Sequence, residues 1–274
     1  KDSNIWIGTN ADGLFKVSVV NDPLQSNSIK HLKNYSVESG LGSNKIYSLF
    51  VDSNGILWAG TENNLCKFDK TKNTFTQYFI NSKNPAAPFD QNENSITSIY
   101  ENSKGTFWLG TLSGLVLFER ESGQYQNYPH HFDVYRYGWG VVRDVIEDRH
   151  GKLWLSTAAE LMIFDTKTKS YSYVKNDPFD VKSLSYNLVS SLCLDKTGIV
   201  WVGTAGGGIN LYDPKANRFS TYMRKKETSS RVTGFSIRSI VEDDEKNIWI
   251  STEVLYKWNR VTGELKSFEK SSYD

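Results

Sequence analysis

The sequence predicts an all-β fold, a β-propeller built from four-stranded antiparallel blades. Three observations carry that prediction. Six tryptophans, Trp6, Trp58, Trp108, Trp154, Trp201 and Trp249, recur in one frame at spacings of 52, 50, 46, 47 and 48 residues. Each is flanked by apolar residues and followed by Gly-Thr or Ser-Thr. Each repeat also breaks into short segments of four to seven residues bounded by turn chemistry, which read as antiparallel strands. A period in this range with four strands per repeat is the signature of propeller blades. The aromatic content, 14% with only 6 Pro in 274 residues, agrees with a strand-rich chain.

The fifth repeat shows the elements most clearly. Strand one covers 189–194, a turn covers Asp195-Lys196-Thr197-Gly198, and strand two covers 199–203. Strand three covers 209–212, and after a turn at 213–217 strand four covers 219–222. The first turn recurs as Asp52-Ser53-Asn54-Gly55 and Asp148-Arg149-His150-Gly151, and nearly as Asn102-Ser103-Lys104-Gly105. The leading Asx side chain bonds backbone N–H groups within the turn, and the glycine takes the positive φ. The sixth repeat has Lys246 where glycine is expected, so a looser turn or a left-handed Asn247 is expected there.

The frame tryptophan is expected to pack each blade on its neighbour. The small residue after it suits a crowded position, and the threonine a bond to nearby backbone. The strand-four pairs Phe75/Tyr78, Tyr125/Tyr128, Phe219/Tyr222 and Leu265/Phe268 are spaced i, i+3, so one member of each should lie at a strand end. Trp139 and Trp258 fall outside the frame. Cys66 lies in a third strand, and Cys193 in a first strand at a position that reads as a buried core thiol.

The first repeat begins at strand two, because Lys1 stands only five residues before Trp6. The chain reads as a single propeller domain or propeller fragment over 1–274. Its repeats cover about 1–40, 41–93, 94–139, 140–185, 186–235 and 236–274. Either six blades close without strand exchange, or upstream residues supply the missing strand and a seventh blade; the reading favours part of a seven-bladed propeller. With no initiator Met and no signal-peptide pattern, the chain looks like a processed or excised piece of something longer.

Composition excludes several classes. Lys+Arg 32 against Asp+Glu 31 gives a net charge of +1, which argues against binding nucleic acid through phosphate neutralisation alone or resting on a membrane as a polybasic surface. No apolar run approaches the roughly 18 residues of a spanning helix. Two cysteines and four histidines leave little for a disulfide scaffold or a metal centre, so no metal and no cofactor is expected.

The run Asp195-x-x-Gly198-x-x-Trp201-Val202-Gly203-Thr204-x-Gly206-Gly207-Gly208, with the lead-in Asn176-Asp177-Pro178 and Ser183-Leu184-Ser185, resembles the two-component regulator propeller repeat. The resemblance covers essentially the whole chain in six copies. It implies the periplasmic, extracytoplasmic sensor region of a hybrid two-component system in an inner-membrane receptor, best known from gut Bacteroidetes. It also implies partners: an oligosaccharide ligand released from glycans, a second propeller and an immunoglobulin-like domain in the same receptor, and a homodimer of the whole protein. The histidine kinase, receiver and DNA-binding domain would lie elsewhere, so this chain itself is expected to be no enzyme and to bind no nucleic acid. The output would be induction of polysaccharide-utilisation genes.

In a propeller the connections after strands two and four emerge on one face, which commonly holds ligand. The shorter loops there contribute Glu62, Glu160 and Glu253. The longer connection at 129–143 holds His130, His131, Tyr135, Arg136, Tyr137, Trp139 and Arg143. Aromatic faces suit the apolar faces of sugars, and arginine suits carboxylates or sulfates in bidentate geometry. The same aromatics would equally plug a gap between blades or make an inter-domain contact. Arg224, Lys225, Lys226 and Arg231 read as a solvated basic loop. Two alternatives to the sensor stay open. One is a propeller glycosidase or lyase, since the Asp-x-x-Gly-x-x-Trp turn resembles the sialidase Asp-box with the spacing off by one. The other is a non-catalytic scaffold that binds protein.

Overall fold

The computed structural model describes residues 4–22, 25–80, 94–130, 141–222 and 236–268. The chain forms two compact units, Lys1–Tyr137 and Gly138–Asp274. Each holds three antiparallel meanders whose strands pair in chain order. These six sheets are propeller blades, and the only helical element among the described residues is a 3-10 turn at Val37–Ser39.

In the first unit, blade one has three strands, β1 (Asn4–Gly8), β2 (Leu14–Asp22) and β3 (Gln25–Tyr35). The expected missing first strand is thus borne out, and β2 and β3 form a longer hairpin than any other blade has. Blade two is β4 (Ile46–Val51), β5 (Leu57–Thr61), β6 (Leu65–Asp69) and β7 (Thr74–Tyr78). Blade three is β8 (Ile96–Glu101), β9 (Phe107–Thr111), β10 (Gly114–Phe118) and β11 (Tyr125–Pro129).

In the second unit, blade four is β12 (Asp144–Glu147), β13 (Lys152–Ser156), β14 (Leu161–Asp165) and β15 (Ser170–Val174). Blade five is β16 (Val189–Leu194), β17 (Val200–Thr204), β18 (Gly208–Asp213) and β19 (Arg218–Tyr222). Blade six is β20 (Ser239–Glu242), β21 (Ile248–Ser251), β22 (Leu255–Trp258) and β23 (Leu265–Phe268).

The core lies between consecutive sheets. Trp58, Leu65 and Ile80 pack with Ile96, Phe107 and Phe118, and Trp154 packs with Val189, Val200 and Phe219. The frame tryptophan of one blade meets a third-strand aromatic of the next. Ring centroids are 5.1 Å apart for Trp6–Phe68, 5.9 Å for Trp58–Phe118, 5.0 Å for Trp154–Tyr212 and 5.3 Å for Trp201–Trp258. Edge-on and tilted pairs of this kind add about 0.5–1.5 kcal/mol beyond area burial. Trp258, outside the repeat frame in sequence, is therefore the partner of Trp201.

Four of the six frame tryptophans also have a polar anchor of one kind. The indole N–H donates to Oδ2 of the aspartate six residues earlier, at 2.8 Å for Trp58–Asp52, 3.0 Å for Trp154–Asp148, 2.7 Å for Trp201–Asp195 and 2.8 Å for Trp249–Asp243. The other oxygen holds the turn. Asp195 Oδ1 accepts from Thr197 N and Ile199 N, and Asp52 Oδ1 from Asn54 N and Ile56 N. The turn glycines take positive φ, as at Gly55 (75°) and Gly198 (92°). Blade six corrects the expectation for its turn. Lys246 itself takes φ 66°, and its N–H closes the turn on Asp243 O at 3.0 Å, as Gly198 does on Asp195. Asn247 instead donates N–H and side-chain amide to the Asp243 carboxylate.

The small residue after the frame is small for contact reasons. A Cβ on Gly60 would meet Ser48 Oγ at 2.2 Å and Ile96 O at 2.5 Å. A bulge early in β4, β8 and β16 brings Ser48, Ser98 and Ser191 opposite the frame glycines. Blade four differs at both places, pairing Asp144 with Ser156. The strand-four pairs behave as expected, with Tyr78, Tyr125, Tyr222 and Phe268 at strand ends. Cys66 is fully buried, whereas Cys193 is half-buried and not the core thiol expected, because it faces the next blade's Ile237–Ile248 cluster from its margin. Burial pushes both thiols up, to about 12 and about 11, so neither is a thiolate nucleophile near neutral pH.

Candidate functional site

The loops after strand two are built around the frame threonine. Its hydroxyl donates to a carbonyl across the loop, Thr61 to Asn64 O, Thr111 to Gly114 O, Thr157 to Glu160 O and Thr204 to Gly208 O. It also accepts loop N–H groups, as from Glu160 and Gly207. The threonine carbonyl then receives the first strand of the next blade: Ile46 N on Thr9 O, Val189 N on Thr157 O and Ile237 N on Thr204 O. Loop and inter-blade connection therefore meet at the same end of the strands in each pair, and the loops are held rigid by the repeat itself.

The expected site residues sort unevenly. Glu62 pairs with Lys45 at 3.0 Å, and the Glu62 hydrogen bond, with Tyr47 second, raises the Lys45 ammonium above its ordinary pKa. Glu160 is buried and its Oε1 lies 2.7 Å from Lys175 Nζ on the connection that leaves β15. Both pairs join a strand-two loop to an inter-blade connection. Glu253 is exposed at the equivalent loop of blade six. His130 is buried and its N–H bonds Ser113 O, while Arg143 is exposed with its N–H on Ser156 O. His131, Tyr135, Arg136, Tyr137 and Trp139 lie outside the described residues, as do Arg224, Lys225, Lys226 and Arg231. No group of three His, Cys, Asp or Glu side chains that could hold a metal occurs among the described residues.

Sequence reasoning missed a second set of charged groups at the opposite, turn end of the strands. Arg120, from the turn after β10, reaches back to the preceding blade. Its Nη1 is 3.1 Å from Asp52 Oδ2 and its Nη2 is 2.8 Å from Glu101 Oε1. Arg260, from the turn after β22, repeats this with Asp195 Oδ2 at 2.7 Å and Glu242 Oε1 at 3.8 Å. Each guanidinium sits over a ring, Phe107 at 5.3 Å and Trp201 at 5.5 Å. The glutamates hold the neighbouring turn as well, Glu101 accepting from Ser53 N and Glu242 from Lys196 N. Burial alone would raise Asp52 and Asp195. The indole, backbone and arginine partners, joined at Asp195 by the Thr197 hydroxyl, outweigh it and hold both carboxyls below the ordinary range. Arg120 and Arg260 each open a turn three residues before a glycine, a likeness confined to two of the repeats.

The cavities lie at this end too. One of about 770 Å³ runs between blades one and two, past Trp6, Phe68 and Tyr78. Lys16 and Lys67, which line it, lie over the Trp6 and Trp58 rings at 5.5 and 5.4 Å. Another, of about 380 Å³, lies between blades four and five beside Asp148.

Comparison with known proteins places this geometry. The profile of the two-component regulator propeller matches residues 40–63, 90–113, 183–206 and 233–254. Each match runs from an inter-blade connection through strand one, the Asx turn, strand two and its threonine. Among solved structures, the extracellular domain of a hybrid two-component system from B. thetaiotaomicron aligns with 92% of this chain and 31% of its own, at 22% identity and a TM-score of 0.64. A second such domain from the same organism aligns with 97% of this chain and 39% of its own, at 19% identity and a TM-score of 0.54. A streptogramin B lyase aligns over 100% of this chain and 81% of its own, at 15% identity and a TM-score of 0.69. At these identities the likeness is one of fold, and the chain spans less than two-fifths of either B. thetaiotaomicron domain. No curated protein sequence matches. No helix among the described residues is long and apolar enough to cross a membrane.

Proposed function

Because the chain carries two-component regulator propeller repeats, we propose that it is an extracytoplasmic ligand-sensing module of a hybrid two-component receptor and has no catalytic activity of its own. The four profile matches at the structural repeat carry this reading. The ligand is an oligosaccharide derived from a glycan, and the response is expression of polysaccharide-utilisation genes through kinase, receiver and DNA-binding parts elsewhere in the receptor. The module works from the periplasm beside a second propeller and an immunoglobulin-like domain, within a homodimer. The ligand face is the loop end of the strands. The preset Lys45–Glu62 pair of the first unit and the Lys175–Glu160 pair of the second each offer donors and acceptors to sugar hydroxyls there. Ligand binding biases the receptor only if it binds one signalling state better than the other.

Calorimetry of the whole extracytoplasmic region against a panel of neutral and acidic oligosaccharides tests this. Saturable binding to one member, weakened about tenfold in Lys175→Ala, is expected. Silence across the panel from folded protein would leave a protein-binding scaffold, and turnover of a glycan or ester substrate would make it an enzyme instead.

A further inference from the structure

The junction between blades four and five lacks the arginine clasp and keeps its receptor. The residue equivalent to Arg120 and Arg260 is Pro214, and the residue equivalent to Glu101 and Glu242 is Leu194. The aspartate is retained. Asp148 Oδ1 accepts His150 N and Lys152 N, and Oδ2 accepts the Trp154 indole at 3.0 Å, its one partner among the described residues. Asp148 makes no ion pair among the described residues. Where the clasp is closed, Asp52 and Asp195 are 5% and 2% exposed, whereas Asp148 is half-buried. The 380 Å³ cavity opens beside it, bounded by Asp213, Pro214 and Gly198. The charges of Asp148 and Asp213 both act on the Tyr212 phenol and, after burial, raise its pKa, so the two carboxylates converge on this place. Arg149 lines the cavity but is committed elsewhere: its Nη2 donates to Lys196 O at 2.8 Å and its chain lies against Gly198. Lys215 is exposed at the rim.

We propose that this cavity is a binding slot for a guanidinium group supplied from outside the blade pair, held by Asp148 as Asp195 holds Arg260. The ligand class is set by the occupant of the sister junctions. A planar cation that donates to a carboxylate and stacks on a ring suits arginine better than the compact, strongly hydrated ammonium of lysine. The guanidinium comes either from a free small molecule or from an arginine side chain of a peptide.

The test titrates the protein with Nα-acetylarginine amide, with the citrulline amide as the uncharged control of the same shape. The readout is the Trp154 indole N–H resonance, which reports on Asp148 Oδ2. Saturable shifts with a millimolar dissociation constant are expected from the arginine compound and none from citrulline. Pro214→Arg, which restores the clasp from within, should abolish the response and raise the melting temperature. Asp148→Asn should weaken binding at least tenfold. Methylguanidinium and a Gly-Arg-Gly peptide separate the sources: equal affinity assigns a small molecule, and tighter peptide binding assigns an arginine side chain. The proposal is overturned by an equal response to citrulline, by no saturation up to tens of millimolar, or by undiminished binding in a folded Pro214→Arg protein.

Discussion

The junctions between blades five and six and between blades four and five are built from the same repeat, yet one is closed by charge and the other is not. In the first, Asp195 collects an indole, a hydroxyl, backbone N–H groups and Arg260 in a buried cluster. In the second, Asp148 has the same indole and backbone bonds but Pro214 in place of the arginine. The tryptophan–aromatic contact is retained in both, at 5.3 and 5.0 Å. Within each unit the repeat frame therefore supplies packing at both junctions, and residues outside the frame decide whether a junction is also locked electrostatically.

The sharpest way to break this comparison is to remove the same carboxylate from both junctions. Asp195→Ala leaves the Arg260 guanidinium without its main partner in a desolvated site and deletes the indole and turn bonds. A cost of about 3–5 kcal/mol is expected. Asp148→Ala deletes only hydrogen bonds at a half-buried site, about 1–2 kcal/mol. Urea unfolding of the two variants reads the difference directly. Equal losses would show that the arginine clasp contributes nothing beyond the turn and the indole.

The comparison also shows what the sequence made legible. The strands and Asx turns followed from the tryptophan frame, because turn chemistry and strand period repeat in blades two to six. The aspartate–indole bond was visible in principle, since an aspartate stands six residues before Trp58, Trp154, Trp201 and Trp249. The turn role of that aspartate masks the bond, because the tryptophan at strand two reads as a packing residue. The clasp was not legible, because Arg120 and Arg260 occupy one position in two repeats while Lys70, Thr166 and Pro214 occupy it in others. A pattern sought across all repeats averages such residues away. The candidate ligand face was legible as polar loops of uneven composition, which carry no shared motif. The Lys45–Glu62 and Lys175–Glu160 pairs arise because separate loops end at one place, which local sequence does not encode.

A second contrast lies on the first strands. Blade four carries Asp144 where blades two, three, five and six carry Ser48, Ser98, Ser191 and Ser239. Burial pushes the Asp144 carboxyl up to about 6, against the opposing pull of the Leu192 and Val145 N–H groups. The folded state then holds its proton to a higher pH than the unfolded chain, whose aspartate titrates near 3.8. Stability is lost as pH rises from about 4 to about 6, the reverse of the contribution of Asp52 and Asp195. Asp144→Ser is expected to stabilise the protein at pH 7 by on the order of 1 kcal/mol. The gain should shrink and reverse below pH 4, where the neutral acid keeps its hydrogen bond from Leu192. Thermal unfolding from pH 4 to 7 measures this, and parallel curves for both proteins would rule it out.

The smallest expected effect compares the turns of blades five and six. Gly198 and Lys246 occupy the same turn position at φ 92° and 66° and close it with the same backbone bond. Lysine there carries the left-handed penalty that glycine avoids, about 1 kcal/mol. Glycine gives part of this back through greater freedom in the unfolded chain. Lys246→Gly should therefore stabilise by about 0.5 kcal/mol, seen as a rise in the urea midpoint with unchanged slope. The reverse change, Gly198→Ala, meets two obstacles. It takes on the same backbone penalty, and its Cβ would lie 2.5 Å from Arg149 Nε, displacing the side chain that bonds Lys196 O. Its loss should exceed the Lys246→Gly gain about twofold or more. If the two effects were equal and opposite, the contact between Arg149 and Gly198 would add nothing to the junction of blades four and five.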